Sequence, residues 1–370
     1  MLVETHGEVC RLGYLRVVAA VVASLDASAS LEYVAAVLHN IAKNAPFSSS
    51  AEAKSTGVIR NPITARNYVT LAKELGFVGS RAGVLGPVGN LFISMRSSAK
   101  FVALVKGDTK LAHRDLIALN PFERFFMLYV IYTKDHLALK RLIQFVTERE
   151  EFSRNDCMNY LMEEVYPEAL RLAASSVGKR KRAEYVQKLE EAMRFREIRL
   201  GFSKKSEWIR SSLYAKYRHI APPRIEWLVD LGLIEKVGRG RYATTAFLKS
   251  NAEAFKKVME FPPSSGVDVL FSSVAPIYMK YVKSPAKQVV LQELSRSFKS
   301  LSGGGREPVE MRSLEVAAAL ALLENNYLMT PKELHNFING LTLIYSDKVY
   351  VMPGEDGLYV TKFAIADPEQ

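Results

Sequence analysis

The chain is poor in the residues that build covalent or metal frameworks. Its 370 residues include two cysteines, Cys10 and Cys157, far apart in sequence, which excludes a disulfide scaffold and a cysteine-based zinc site and fits a reducing setting. The six histidines, His6, His39, His113, His136, His219 and His335, form no pair at metal-ligand spacing. Nucleophile elbow, Walker lysine and dinucleotide fingerprint are all missing, and Ser302-Gly303-Gly304-Gly305 is a flexible link because no Gly-Lys-Ser/Thr follows it. Long apolar runs are missing too. The nearest, Leu15 to Leu25, is interrupted by Arg16, preceded by Glu4 and Glu8, and too short for a bilayer. It reads as a buried first helix rather than an export signal. Glu52-Ala53-Lys54 has the Glu-x-Lys form of metal-dependent nucleases, but its segment reads as a short helix where a catalytic strand is required, and chance accounts for it. No metal, no cofactor, no membrane and no enzymatic activity are expected.

What is present is an ordinary globular composition with an uneven charge. At 48% hydrophobic and 24% charged residues, the chain supports two or three domains with real cores. The net charge of +11 favours a polyanionic partner, nucleic acid first, and a cytoplasmic, nucleoid-associated location. From Ala173 to Thr245 there are 17 Lys and Arg against 8 Asp and Glu, so nine of the eleven net positive charges fall in one fifth of the chain. This basic region opens with Lys179, Arg180, Lys181 and Arg182. It continues through a helical segment bearing Lys188, Arg194, Arg196 and Arg199, then Lys204 and Lys205.

The stretch from Ser206 to Thr245 gives that charge a context. Trp208, Ile209, Leu213 and Tyr217 recur at helical spacing, and the run His219 to Pro223 is expected to stop that helix. Pro222 and Pro223 then suit the first turn of a second helix with Ile225, Trp227, Leu228 and Leu231 on its buried stripe, ended by Gly232. Leu233 to Val237 and Arg241 to Thr245 follow as a hairpin around Gly238-Arg239-Gly240. Helix, turn, helix and basic hairpin resemble the winged helix-turn-helix superfamily of DNA-binding domains, most directly through the Leu231 to Tyr242 segment. The resemblance implies a helix in the major groove, with Arg224, Glu226 and Asp230 on its exposed face and Arg218 just before it, and a wing offering Lys236, Arg239 and Arg241 to phosphates. Trp227 and Tyr242 are read as core.

A second such unit is expected at Ser30 to Met95. Leu31, Val34, Val37, Leu38 and Ile41 mark one helix, a short one follows at about Ala51 to Ser55, and Asn61-Pro62 opens a third that closes at Gly76. Phe77-Val78 and Leu91 to Ile93 are expected as wing strands around a loop containing Arg81. The third helix offers Arg60, Thr64, Arg66, Asn67, Thr70 and Lys73 to solvent, a set suited to DNA because Arg pairs with guanine and Asn with adenine through two hydrogen bonds each.

Residues 111–172 read as helical throughout, rich in aromatics, with Ser153 as a cap; if Phe122 to Leu172 supply the first helices of the central unit, the basic segment is an insertion in it. Phe261 to Gly266 reads as a linker. Beyond it Ser313, Thr330-Pro331 and a hairpin around Glu355-Asp356 suggest a third unit, whose Gly357, Tyr359 and Thr361 echo Gly240, Tyr242 and Thr244. Its acidic tip would be repelled by phosphates, which favours a protein partner or self-association through residues 261–370. The expected architecture is therefore mainly α with small β-hairpins: tandem winged-helix domains with a helical insertion, divided as 1–110, 111–260 and 261–370. The expected function is binding of double-stranded DNA as a sequence-specific transcriptional regulator. The alternatives are a non-catalytic DNA-recognition subunit of a restriction, defence or replication system, and a winged-helix protein-interaction scaffold.

Overall fold

The computed structural model describes residues 2–3, 5–47, 49 and 57–365. It is 66% helix and 9% strand, with two three-stranded antiparallel sheets, which is the mainly helical fold with small hairpins expected from the sequence. The short helix expected at 51–55 lies outside the described residues.

The first unit packs three helices, α1 (Gly13–Ser24), α2 (Leu31–Asn44) and α3 (Pro62–Glu74), against one another. Helix α1 is buried along Gly13–Val22 as its apolar run requires, and the one charge in that run, Arg16, is wholly buried. Its guanidinium reaches Glu123 at 2.5 Å and donates to the carbonyls of Leu116 and Ala118. Gly13 meets the Ile117 backbone so closely that an added Cβ would lie 2.4 Å from its carbonyl oxygen. Asn61 caps α3 by accepting from the Thr64 amide at 2.8 Å, with Pro62 in the first turn. The expected wing is reduced to one bridge, Val78 to Leu85. Leu91 to Ile93 is not a strand. It belongs to α4 (Pro87–Ser94), because Val88, Leu91 and Phe92 stand at helical spacing and Phe92 packs on Phe101 and Phe126.

The central unit runs through α5 (Ala99–Lys106), α6 (His113–Ile117), α7 (Pro121–Lys134) and α8 (His136–Thr147) to β1 (Glu151–Ser153). Helix α9 (Arg154–Tyr160), capped by Ser153, continues through a π turn at Leu161–Val165 into α10 (Tyr166–Ser176). Next come α11 (Lys179–Met193), α12 (Phe195–Gly201), α13 (Lys205–Arg210), α14 (Ser212–Asp230), β2 (Ile234–Gly238) and β3 (Arg241–Thr244). Strand β3 lies between β1 and β2, with Phe152 opposite Tyr242 and their rings stacked at 5.8 Å.

The expected turn between two helices at 219–223 does not exist. Helix α14 is continuous for 19 residues with Pro222 and Pro223 inside it. Two prolines remove two helical donors, leaving the carbonyls of Arg218 and His219 unpaired. The N-terminal segment covers both. Thr5 Oγ1 donates to the His219 carbonyl, and Gly7 lies against that of Arg218, where a Cβ would sit 2.9 Å from the oxygen. The same segment fastens the rest of the helix. Val3 accepts from Arg224 Nη2 at 2.8 Å, Val9 accepts from the Trp227 indole at 2.9 Å, and Asp230 accepts from the Leu12 amide at 2.8 Å. Arg224 also meets Asp135 at 2.7 Å, with each side chain 1% exposed.

The last unit follows α15 (Ala246–Glu260), α16 (Pro263–Ser273) and α17 (Ala275–Met279). Phe261 to Gly266 is not a loose linker: Pro263 already starts α16, and the Tyr132 hydroxyl donates to the Phe261 carbonyl at 2.8 Å and fills the space beside Gly266. Then come α18 (Lys287–Leu301), β4 (Val309–Glu310), α19 (Met311–Glu324), α20 (Pro331–Ile344), β5 (Val349–Gly354) and β6 (Gly357–Phe363), with β6 between β4 and β5. Thr330 and Glu333 cap α20 reciprocally. Helix α19 starts at Met311 rather than after a Ser313 cap. The order helix, strand, helix, helix, strand, strand is that of α8, β1, α9, α14, β2 and β3, and the inserted helices α10–α13 separate the second and third helices of the central set. The tyrosine echo is out of register by one residue: Tyr242 is core and lies opposite Phe152, whereas in β6 the buried residue opposite Val309 is Val360, next to Tyr359.

Both cysteines are buried, and burial pushes the Cys10 thiol up to about 12 and raises that of Cys157 as well. Two measurements test the N-terminal clamp. Asp135→Ala leaves the Arg224 charge buried without its partner and should cost about 3–5 kcal/mol in denaturant unfolding. His219 accepts from the Gly7 amide through Nδ1, and burial, His6 and Arg218 lower its pKa from 6.5. A base with a depressed folded pKa contributes stability above 6.5 that is lost as pH falls below it. The melting temperature should therefore drop over that interval, and less so in His219→Asn.

Candidate nucleic-acid interface

The outer face of α3 carries most of the side chains assigned to it. Arg60, Arg66 and Lys73 are exposed, Asn67 and Thr70 are half-buried, and Ile63 among them is 70% exposed. The opposite face, with Ala65, Tyr68, Val69 and Ala72, is core. Thr64 falls on the inner side. It is 3% exposed and donates to Glu8 at 2.5 Å, so it is a structural residue and not a base contact. Arg66 has a 3.3 Å pair with Glu32, but both side chains are more than 60% exposed, and such pairs are worth little. Arg81 is exposed on the loop between Val78 and Leu85.

The central helix cannot read a groove. Every residue from Ala221 to Leu228 is buried, and a helix covered on all sides presents no reading face. Arg224 is committed to Asp135 and Val3. Glu226 accepts from the Tyr242 hydroxyl at 2.8 Å, and Asp230 pairs with Arg11 at 2.7 Å. Burial pushes the Asp230 carboxyl up to about 6 against the pull of Arg11. Arg224 is therefore withdrawn as a DNA contact, and its physical role is to hold the N-terminal segment to α14.

The hairpin cations differ from one another. Arg239, at the tip, is exposed and in no ion pair among the described residues. Lys236 lies 2.7 Å from the buried Glu226 carboxylate, whose burial makes the lysine part of the fold rather than a loose phosphate ligand. Arg241 pairs with Glu151 at 2.6 Å, but both side chains are exposed, so a phosphate could compete for it. Lys179, Arg180, Lys181 and Arg182 occupy the exposed first turn of α11, which packs as a hairpin on α10. Cations there oppose the helix dipole, and an anion bound at this end would relieve that repulsion.

The sequence reading missed a cleft of about 740 Å³ between α9, α12, α13 and the first half of α14. Arg154, Arg199, Lys204, Lys205 and Arg218 line it. Trp208, expected on one helix with Leu213 and Tyr217, instead sits on the separate short α13, half-buried in the cleft wall. Phe202, Tyr214 and Tyr217 surround it at ring distances of 5.4–6.1 Å. The interleaving of Phe202, Lys204, Lys205 and Trp208 was the available signal, since basic and aromatic residues alternate there.

No family model, curated protein or solved structure matches the chain. Among the described residues no cluster of His, Cys, Asp and Glu could hold a metal ion, and no helix is long and apolar enough to cross a membrane.

Paired substitutions separate the two hairpin lysine and arginine roles. Lys236→Met should lower unfolding stability by about 1–3 kcal/mol, because it strips a partner from a buried carboxylate. Arg239→Met should change it by less than about 0.5 kcal/mol in the same denaturant titration.

Proposed function

We propose that this protein binds double-stranded DNA without catalysing a reaction on it, as a sequence-reading regulator built from tandem winged-helix units. The single observation that carries this reading is the outer face of α3. It leaves Arg66 and Lys73 exposed and Asn67 half-exposed on a helix whose other side is held in the core. Those are the groups that pair with guanine, adenine and phosphate. The order of helices and strands shared by the central and last units, each with the first strand beside the last, supports the winged-helix assignment. In this reading α3 is the reading helix, while Arg239, Arg241 and the first turn of α11 contact the backbone.

A second observation favours a protein partner or a second copy at the last unit. Its hairpin tip is acidic, at Glu355 and Asp356, and Tyr350, Met352 and Leu358 are exposed on the two strands of the same hairpin. Large apolar side chains grouped in this way mark contact surfaces.

Selection of duplexes from a random pool, followed by salt titration of the best site, tests the reading. Arg66→Ala and Asn67→Ala should each weaken the selected site roughly 5- to 150-fold, at about 1–3 kcal/mol per bidentate contact, and leave random duplex almost unaffected. Arg239→Ala should weaken all duplexes alike and reduce the salt slope by about 0.9. Flat salt dependence with no enriched site would refute it.

A further inference from the structure

We propose that the cleft walled by Trp208 receives unpaired nucleotides, as at a duplex end or fork, with bases on the aromatic wall and phosphates on the surrounding cations. The placement at a junction rests on the duplex reading above; the binding of a single strand does not.

Charge is the first argument. Five cations line the cleft and no carboxylate does. Among the described residues none of the five is in an ion pair, whereas Arg66, Lys236 and Arg241 each have one. A concave wall of one sign concentrates the field and draws in a polyanion. Arg154 lines the cleft, and its Nε is buried with no hydrogen-bond acceptor among the described residues.

The aromatic wall is the second argument, and it favours nucleotides over an acidic peptide. Trp208 is backed by Phe195, wholly buried at 5.9 Å, and flanked by Tyr214 at 5.4 Å. A half-exposed indole held from behind is a stacking platform, and every base has a face to offer it. Arg199 lines the cleft, is held by a bond to Asn159 and lies 5.9 Å from the Tyr217 ring, so cation and ring stand together at the wall. The volume falls within the range of sites that enclose a small ligand.

Position is the third. The Arg154 amide donates to the Gly240 carbonyl at 2.7 Å, which joins the cleft rim directly to the tip of the β2–β3 hairpin. A duplex touching Arg239 would have its frayed strand beside the cleft mouth.

The experiment uses the full chain and a short oligothymidylate. Trp227 is buried, so a change in tryptophan emission on titration reports Trp208. Quenching is expected, with affinity that falls steeply with salt. Trp208→Ala should weaken binding of a dye-labelled oligomer roughly 5- to 150-fold, since stacking is worth about 1–3 kcal/mol per base. The exposed pair Lys204→Gln and Lys205→Gln, which leaves the core untouched, should lower the single-strand salt slope by about 1.4. An abasic oligomer of equal length should bind more weakly and leave the emission unchanged. Equal affinity for the abasic oligomer, absence of quenching, or equal competition by an acidic peptide of the same charge would overturn the proposal. If Trp208→Ala does not fold, the lysine pair and the abasic comparison decide. Binding of blunt duplex with no gain from an overhang would sink the cleft and spare the duplex reading; binding of the oligomer with no binding of blunt duplex would do the reverse.

Discussion

The structure depends on a charge pair that water does not reach. Arg224 and Asp135 are tolerable inside the molecule because each has further hydrogen bonds: the arginine to the carbonyls of Val3 and Ile220, the aspartate from the Val3 amide. Those bonds come from the start of the chain. The N-terminal segment therefore supplies what α14 loses at Pro222 and Pro223, and in return α14 holds that segment in place. Because Arg11 and Leu12 extend the same contact to Asp230, and Arg16 of α1 meets Glu123 of α7, the first unit is built into the central one.

Much of the fold was legible where the deciding contacts are local. Asn61-Pro62, Ser153 with Asp156 and Thr330 with Glu333 announce helix starts, because a cap acts within one turn. Helix α1 was legible from its apolar run, and the C-terminal hairpin from its turn residues. The failures share one cause. At Pro222-Pro223 the local rule predicts a break, and what overrides it is Thr5, 214 residues away. Strand β1 is three residues long, too short to show alternation, and exists because β3 pairs with it. Leu91 to Ile93 is a short apolar run that fits strand or helix, and its neighbours Phe101 and Phe126 choose helix.

The candidate site divides in the same way. Periodicity placed the outer face of α3 correctly but misplaced Thr64 by a small rotation, enough to turn a solvent position into a buried one. It could not show that the face holding Arg224, Glu226 and Asp230 is covered by distant chain. Counting cations located the basic region, whereas the structure distinguishes those already engaged with carboxylates from those that are not. The cleft draws Arg154, Arg199, Trp208 and Arg218 from four helices, and no spacing in the sequence joins them.

The two thiols offer a practical opening. Both are enclosed and held protonated, so neither competes for a reagent that seeks a thiolate in solution. A cysteine introduced at one exposed position would be the sole attachment point for a maleimide dye or spin label. Distances within the working molecule could then be read without first stripping out its native sulfur.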